Sequence, residues 1–129
     1  MNAREVSVLL VEDNYLVRKM AIITLEQLHC KVDAVETGML ALEYVNKTSY
    51  DIIFMDIGMP DMDGLSVISR IRSDQGLNYN VPIIALTAHS DKEYIQQSFQ
   101  MGATDFYVKP LNNAIGRQII EQYTEFLVQ

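Results

Sequence analysis

The sequence predicts an open parallel α/β sheet covered by helices on both faces. Two observations lead there. Short β-branched runs alternate five times with stretches of helical period, and three of those runs are apolar on both faces, as strands buried between helix layers must be. Such an alternation implies right-handed β-α-β crossovers.

The first strand is VSVLLV (6–11), apolar on both faces, followed by a helix over 15–28. KVDAV (31–35) is the second strand, and the next helical pattern runs over 38–47. DIIFM (51–55) is the third, again apolar on both faces, and leads through a turn carrying Pro60 and Gly64 to a helix over 65–73. VPIIALT (81–87) is the fourth; Ser90 and Glu93 then have capping-box spacing for a helix over 91–101, which Gly102 ends as a left-handed stop residue. DFYV (105–108) is the last strand and 112–127 the last helix. No linker, internal repeat or low-complexity segment interrupts the pattern, so residues 1–129 read as a single domain.

Composition narrows the function. A formal charge of −7 argues against direct binding to nucleic acid or anionic lipid, both of which require a basic patch, and favours proteins or small cations as partners. No apolar run reaches the length of a membrane span and the N-terminus lacks a signal-peptide layout, so no membrane insertion and a cytoplasmic location are expected. Cys30 is the single cysteine, which rules out an intrachain disulfide and fits a small buried hydrophobe.

In open α/β sheets ligands bind beyond the carboxyl ends of the strands. There the first strand ends in Glu12 and Asp13, the third in Asp56, the fourth in Thr87 and the fifth in Lys109. If the first and third strands are neighbours, three carboxylates share one pocket. Unit charges about 4 Å apart repel by about 4 kcal/mol at an effective dielectric near 20, so a cation is needed. An oxygen-only donor set without His or Cys favours Mg²⁺, which uses one or two carboxylates and completes its shell with water and phosphate. With Lys109 as a fixed positive charge on the far side and the Thr87 hydroxyl as a donor, the cluster describes a receptacle for a phosphoryl group. Taken singly, Asp13 and Asp56 read as turn or cap residues; the gathering of Glu12, Asp13, Asp56, Thr87 and Lys109 at one edge from four strands weighs against that. Asp61 and Asp63 fit a helix cap, Asp51 and Asp105 lie at the opposite strand ends with structural roles, and His29 and His89 are helix-end and loop residues.

The segments LLVEDN, DIIFMDIGMPDMDG, IALTAHS and GATDFYVKP, in this order, resemble the successive signatures of a response-regulator receiver domain of two-component or phosphorelay signalling, over the whole chain. The resemblance implies a flavodoxin-like, doubly wound sheet of strand order 2-1-3-4-5 with five helices. It implies phosphorylation of Asp56 by a phosphohistidine donor on a histidine kinase or histidine phosphotransfer protein. Asp13, Asp56 and the Gly58 carbonyl would ligate Mg²⁺, Glu12 would reach it through water, and Thr87 and Lys109 would hold the phosphoryl oxygens. Phe106 occupies the aromatic switch position, and the Lys109–Pro110 bond would be cis. Phosphorylation would draw Thr87 inward and alter the surface of the fourth helix, fifth strand and fifth helix, where a downstream effector or a second copy could bind.

The rival is a phosphatase of the haloacid-dehalogenase type, which carries a second Asp two residues after its nucleophile; here that position is Gly58. Without that acid the acyl phosphate should hydrolyse slowly, as suits a signal and not an enzyme. Gly58 either admits water to the phosphorus or only eases the turn. The VEDN and TAHS segments also resemble receivers of hybrid sensor kinases, so a stand-alone regulator and a kinase piece both remain open. For donor docking, helix periodicity in YLVRKMAIITLEQLHC directs Val17, Met20, Ala21, Leu25 and Leu28 at the sheet. It leaves Tyr15, Ile22 and Ile23 outward as a patch for a partner helix, and the resemblance to receivers implies docking along this helix and the loop holding Pro110.

Overall fold

A computed structural model of the protein describes residues 5–59, 63–88 and 92–125. Ten elements alternate along the chain: β1 Val6–Val11, α1 Tyr15–Gln27, β2 Cys30–Val35, α2 Gly38–Lys47, β3 Ile52–Asp56, α3 Gly64–Ser73, β4 Ile83–Thr87, α4 Lys92–Met101, β5 Asp105–Val108 and α5 Asn113–Tyr123. The strands form one parallel sheet in the order β2-β1-β3-β4-β5.

Strand alternation divides the apolar side chains between two cores. Leu9, Val11, Ile53, Met55, Ile83 and Ala85 face one way and pack with Ala41 and Val45 of α2 and Ile68 and Ile71 of α3. Val8, Leu10, Ile52, Phe54, Ile84 and Leu86 face the other way, against Ala21 and Leu25 of α1 and Ile119 and Ile120 of α5. Each fully buried Val, Leu, Ile, Phe or Met side chain of this kind contributes roughly 1.5–3 kcal/mol, and apart from Ser7 the central strands β1, β3 and β4 carry no polar residue before their carboxyl ends. α4 packs on α3 and β5.

Several element limits differ from the sequence expectation for local reasons. β4 begins at Ile83 rather than 81, because Pro82 has no N–H to give the ladder. Asp51 lies just outside β3, where its carboxylate accepts the Ser7 N–H at 2.7 Å. α5 stops at Tyr123, since Thr124 turns to an extended backbone and its hydroxyl bonds the Ile120 carbonyl. Gly102 has φ 115° and ends α4, as its position suggests; His29 holds φ 66° after α1. The expected cap pair of Ser90 with Glu93 falls partly, and Asp61 and His89 fall wholly, outside the described residues.

Polar caps start four helices. Asn14 accepts from Val17 N, Thr37 from Leu40 N, Asp63 from Leu65 N and Asn112 from Ile115 N, each satisfying an N–H the helix leaves open. α3 starts in close contact with β3: a Cβ at Gly64 would lie 2.4 Å from the Asp56 carbonyl oxygen and 2.8 Å from the Ile57 Cα.

The phase of α1 corrects the expected outer face. Ala21, Leu25 and Leu28 are buried as expected, but Met20 is 63% exposed, and Ile22 is partly buried against the core instead of facing solvent. Both lie at roughly 100° to either side of Ala21 on the helix wheel. Ile22 finds core neighbours on its flank, whereas Met20 lines a small opening beside Pro110 and Leu111. Tyr15 and Ile23 are exposed as expected, and Leu16 joins them.

Candidate functional site

The polar residues that follow or end β1, β3 and β5 meet at the carboxyl edge of the sheet, and β4 ends beside them at Thr87. β1 runs out into Glu12 and Asp13; β3 ends at Asp56, paired in register with Leu86, so that Thr87 follows on the adjacent strand. The Thr87 carbonyl accepts the Lys109 N–H at 2.8 Å, which ties the start of the β5-α5 connection to the end of β4. The Lys109–Pro110 peptide is cis.

The acids converge. Carboxylate oxygens of Glu12, Asp13 and Asp56 all lie within 4.8 Å of one another. Glu12 and Asp56 are almost fully buried, at 1% and 2% exposure. Lys109 does not stand on the far side of the pocket as expected but reaches into it: its Nζ is 2.9 Å from Glu12 Oε1 and 3.4 Å from Asp56 Oδ1. The other Glu12 oxygen accepts the Asn14 N–H at 3.1 Å, and Asp56 Oδ1 accepts the Gly58 N–H at 2.9 Å.

Burial, together with Asp56 nearby, pushes the Glu12 carboxyl up to about 7 despite its ion pair with Lys109. The Lys109 ammonium is itself raised: desolvation favours its neutral form, but the bond to Glu12 and the charge of Asp56 more than offset this. One lysine against three acids leaves the pocket with negative charge to spare. The donor set is all oxygen, close enough to share one small hard cation, and therefore fits Mg²⁺. The acids, Asn14, Gly58 and Lys109 line an open cleft of about 730 Å³.

Phe106 lies partly buried against the α2-α3 core and meets Phe99 of α4 edge to face, with centroids 6.0 Å apart. Tyr107 packs on the opposite core, as strand alternation requires. Asp63 caps α3, and Asp105 accepts from the Phe106 N–H and the Tyr123 hydroxyl; both are structural, as expected. Sequence reasoning missed Arg18, whose guanidinium bonds the main chain of the acid-bearing loop. The available signal was a cation in the first helical turn after Glu12 and Asp13.

This strand order, with an oxygen-lined acid pocket at its carboxyl edge, defines the flavodoxin-like class of α/β domain that carries its chemistry on strand ends. Residues 8–121 match the response regulator receiver domain family, and the chain belongs to that family. It is similar to hybrid signal transduction histidine kinase L of Dictyostelium discoideum, 39% identical over 90% of this chain and 7% of the kinase. It is likewise similar to the probable C4-dicarboxylate response regulator DctR of Priestia megaterium, 31% identical over 100% of this chain and 56% of the regulator. The chain thus spans only part of these relatives. Among solved structures, the receiver domain of a Pseudomonas aeruginosa sensor histidine kinase, which has a magnesium ion coordinated in its active site cleft, superposes with a TM-score of 0.85 at 32% identity. That match covers 93% of this chain and 98% of the receiver. The chemotaxis response regulator CheY4 of Vibrio cholerae also superposes with a TM-score of 0.85, at 28% identity over 93% of this chain and 99% of that one. The chain is accordingly a receiver domain of two-component signalling, a class of signalling switch, and the phosphatase alternative finds no support. No helix among the described residues is long and apolar enough to cross a membrane.

Proposed function

We propose that residues 1–129 act as one receiver unit in which Asp56 accepts a phosphoryl group from a phosphohistidine on a kinase or phosphotransfer protein. The observation that carries this reading is the meeting of three carboxylates and Lys109 at the carboxyl edge. An aspartate has a reference pKa near 3.9, so as a carboxylate it can attack phosphorus without a general base. An Asp56 oxygen forms the new bond to phosphorus; the histidine nitrogen keeps the electron pair of the broken P–N bond.

Asp13, Asp56 and the Gly58 carbonyl would hold Mg²⁺, with Glu12 acting through water. The bound ion supplies charge stabilisation to the transferring phosphoryl group. Lys109 turns from its carboxylate partners to a phosphoryl oxygen, and the Thr87 hydroxyl donates to another. Withdrawal of Thr87 toward the phosphate lets Phe106 turn further inward, which shifts a pre-existing equilibrium of the α4-β5-α5 surface. Exposed Tyr94, Phe99, Met101 and Val108 give that surface the apolar character a downstream effector or a second copy would use.

The donor protein docks on the outer face of α1. Leu16, Met20 and Ile23, at helical spacing, are exposed together with Tyr15, and Met20 borders an apolar cavity of about 50 Å³ next to Pro110 and Leu111. The domain works in the cytoplasm, in keeping with its free, buried Cys30.

Intact-mass spectrometry after incubation with a small acyl phosphate tests the acceptor. Wild type gains one phosphate with Mg²⁺ and none with EDTA, and Asp56→Asn gains none; equal uptake by the variant overturns the assignment. Met20→Glu slows transfer from the histidine protein while leaving acyl-phosphate labelling unchanged; unaffected transfer moves the docking face elsewhere.

A further inference from the structure

The short connection from β1 to α1 carries two of the three acids on consecutive residues, 12 and 13. It is held from outside the pocket by the side chain of Arg18. Arg18, in the first turn of α1, points its guanidinium back along the helix, and its Nη1 donates to the Glu12 carbonyl at 3.0 Å and the Asp13 carbonyl at 3.4 Å. The side chain is only 16% exposed. Among the described residues its other charged and aromatic neighbours are weak: the exposed Glu36 carboxylate at 3.9 Å and the Tyr15 ring, 5.6 Å from the guanidinium carbon.

The two peptide units that flank the Glu12 Cα are thereby both held. The Glu12 N–H extends the sheet by donating to the Val35 carbonyl at 3.0 Å, and its C=O is taken by Arg18. Asp13 has lost the sheet and not yet entered the helix; the peptide that follows it is held by Arg18 at its carbonyl and by the Glu12 carboxylate at the Asn14 N–H. Fixing both peptide planes fixes the directions in which the two carboxylates leave the main chain.

We propose that Arg18 is a positioning residue for the cation site, acting through the carbonyls of Glu12 and Asp13 and not through their carboxylates. The proposal rests on the reading of the acid cluster as a Mg²⁺ site. It has a distinctive sign. As a bare positive charge near the pocket, Arg18 opposes cation binding, so its removal by charge alone would tighten binding. As a clamp it holds the acids in the narrow octahedral geometry Mg²⁺ demands, so its removal weakens binding. Ca²⁺, with longer and more variable oxygen distances, gains less from the clamp.

The test is calorimetric or NMR titration of the protein with Mg²⁺ and separately with Ca²⁺, without any phosphodonor, for wild type, Arg18→Met and Arg18→Lys. Both variants lose about tenfold in Mg²⁺ affinity, the scale set by loss of groups that orient metal ligands, and lose less for Ca²⁺. Arg18→Lys keeps the charge, but its ammonium stops one bond short of the position from which Nη1 reaches both carbonyls, and so behaves like Arg18→Met. Unchanged or tighter Mg²⁺ binding in either folded variant overturns the proposal, as does an equal loss for both ions, which a slackened fold produces. A wild type without saturable Mg²⁺ binding would instead overturn the reading of the acid cluster itself.

Discussion

Carboxylates stand at both edges of the sheet, in opposite company. At the amino edge Asp51 accepts the Ser7 N–H while its own N–H donates to the Ser7 carbonyl, and Asp105 takes the Phe106 N–H and the Tyr123 hydroxyl. At the carboxyl edge Glu12, Asp13 and Asp56 crowd within 4.8 Å around one lysine. The first arrangement pairs each acid with neutral donors and stitches neighbouring segments together. The second gathers like charges that a fold seeking only stability would keep apart. A carboxylate's role in this protein is therefore read from the charge of its neighbours and not from its burial.

Exchanging the two kinds of acid shows the contrast most strongly in phosphorylation. Asp13→Ala lowers the Mg²⁺-dependent labelling rate of Asp56 by about 100-fold, the usual scale for losing a group that stabilises transferring charge, and Asp51→Ala leaves the rate unchanged in the folded protein. Phosphate uptake followed by mass spectrometry distinguishes them; similar rates for both would erase the contrast.

The next effect is a pH dependence confined to the crowded edge. Because the folded protein favours protonated Glu12, the native state retains a proton that the unfolded chain releases above its ordinary value of 4.5. Without divalent cations the Glu12 contribution to stability is full below pH 4.5. It is lost as pH rises through about 7, on the order of 3 kcal/mol in all. Urea unfolding at successive pH values measures this fall. Glu12→Gln flattens it, as does Mg²⁺, which binds the ionised form.

At the satisfied edge the sign of a substitution reverses. Asp51→Ala leaves the Ser7 N–H without its side-chain acceptor and costs about 2 kcal/mol. Asp56→Asn, which removes one of three like charges, leaves the metal-free protein at least as stable as wild type. Thermal unfolding of the two variants side by side provides the check. The smallest effect belongs to Tyr50, whose hydroxyl donates to Asp33 at 2.7 Å with no second acid in the bond: Tyr50→Phe costs about 1 kcal/mol and leaves labelling of Asp56 unaltered.

Much of this was legible in the amino-acid order. Strands buried on both faces announce themselves as unbroken apolar runs, and a parallel sheet sends their polar ends to one edge, so Glu12, Asp13, Asp56, Thr87 and Lys109 could be collected before any coordinates. Three things could not. The direct reach of Lys109 into the acids depends on the geometry of the β5-α5 connection. The burial of Ile22 and exposure of Met20 depend on what lies beside each flank of α1, and periodicity is silent about neighbours. Arg18 was visible as a cation in the first turn of α1, but its partners are peptide carbonyls, which every residue has, so no residue type marks its role.

Gly64 closes the loop that begins just after Asp56, with its backbone pressed against that residue's carbonyl. The two ends of the loop are therefore joined whatever lies between them. Lengthening such a segment is cheap, about 0.6 kcal/mol for each doubling, because closure entropy grows only with the logarithm of length. A single methyl group at Gly64, in contrast, would separate α3 from β3 directly behind Asp56. The energetic constraint thus falls on the closing residue and not on the number of residues before it. A longer loop therefore costs little on this count, whereas a side chain at residue 64 has no room.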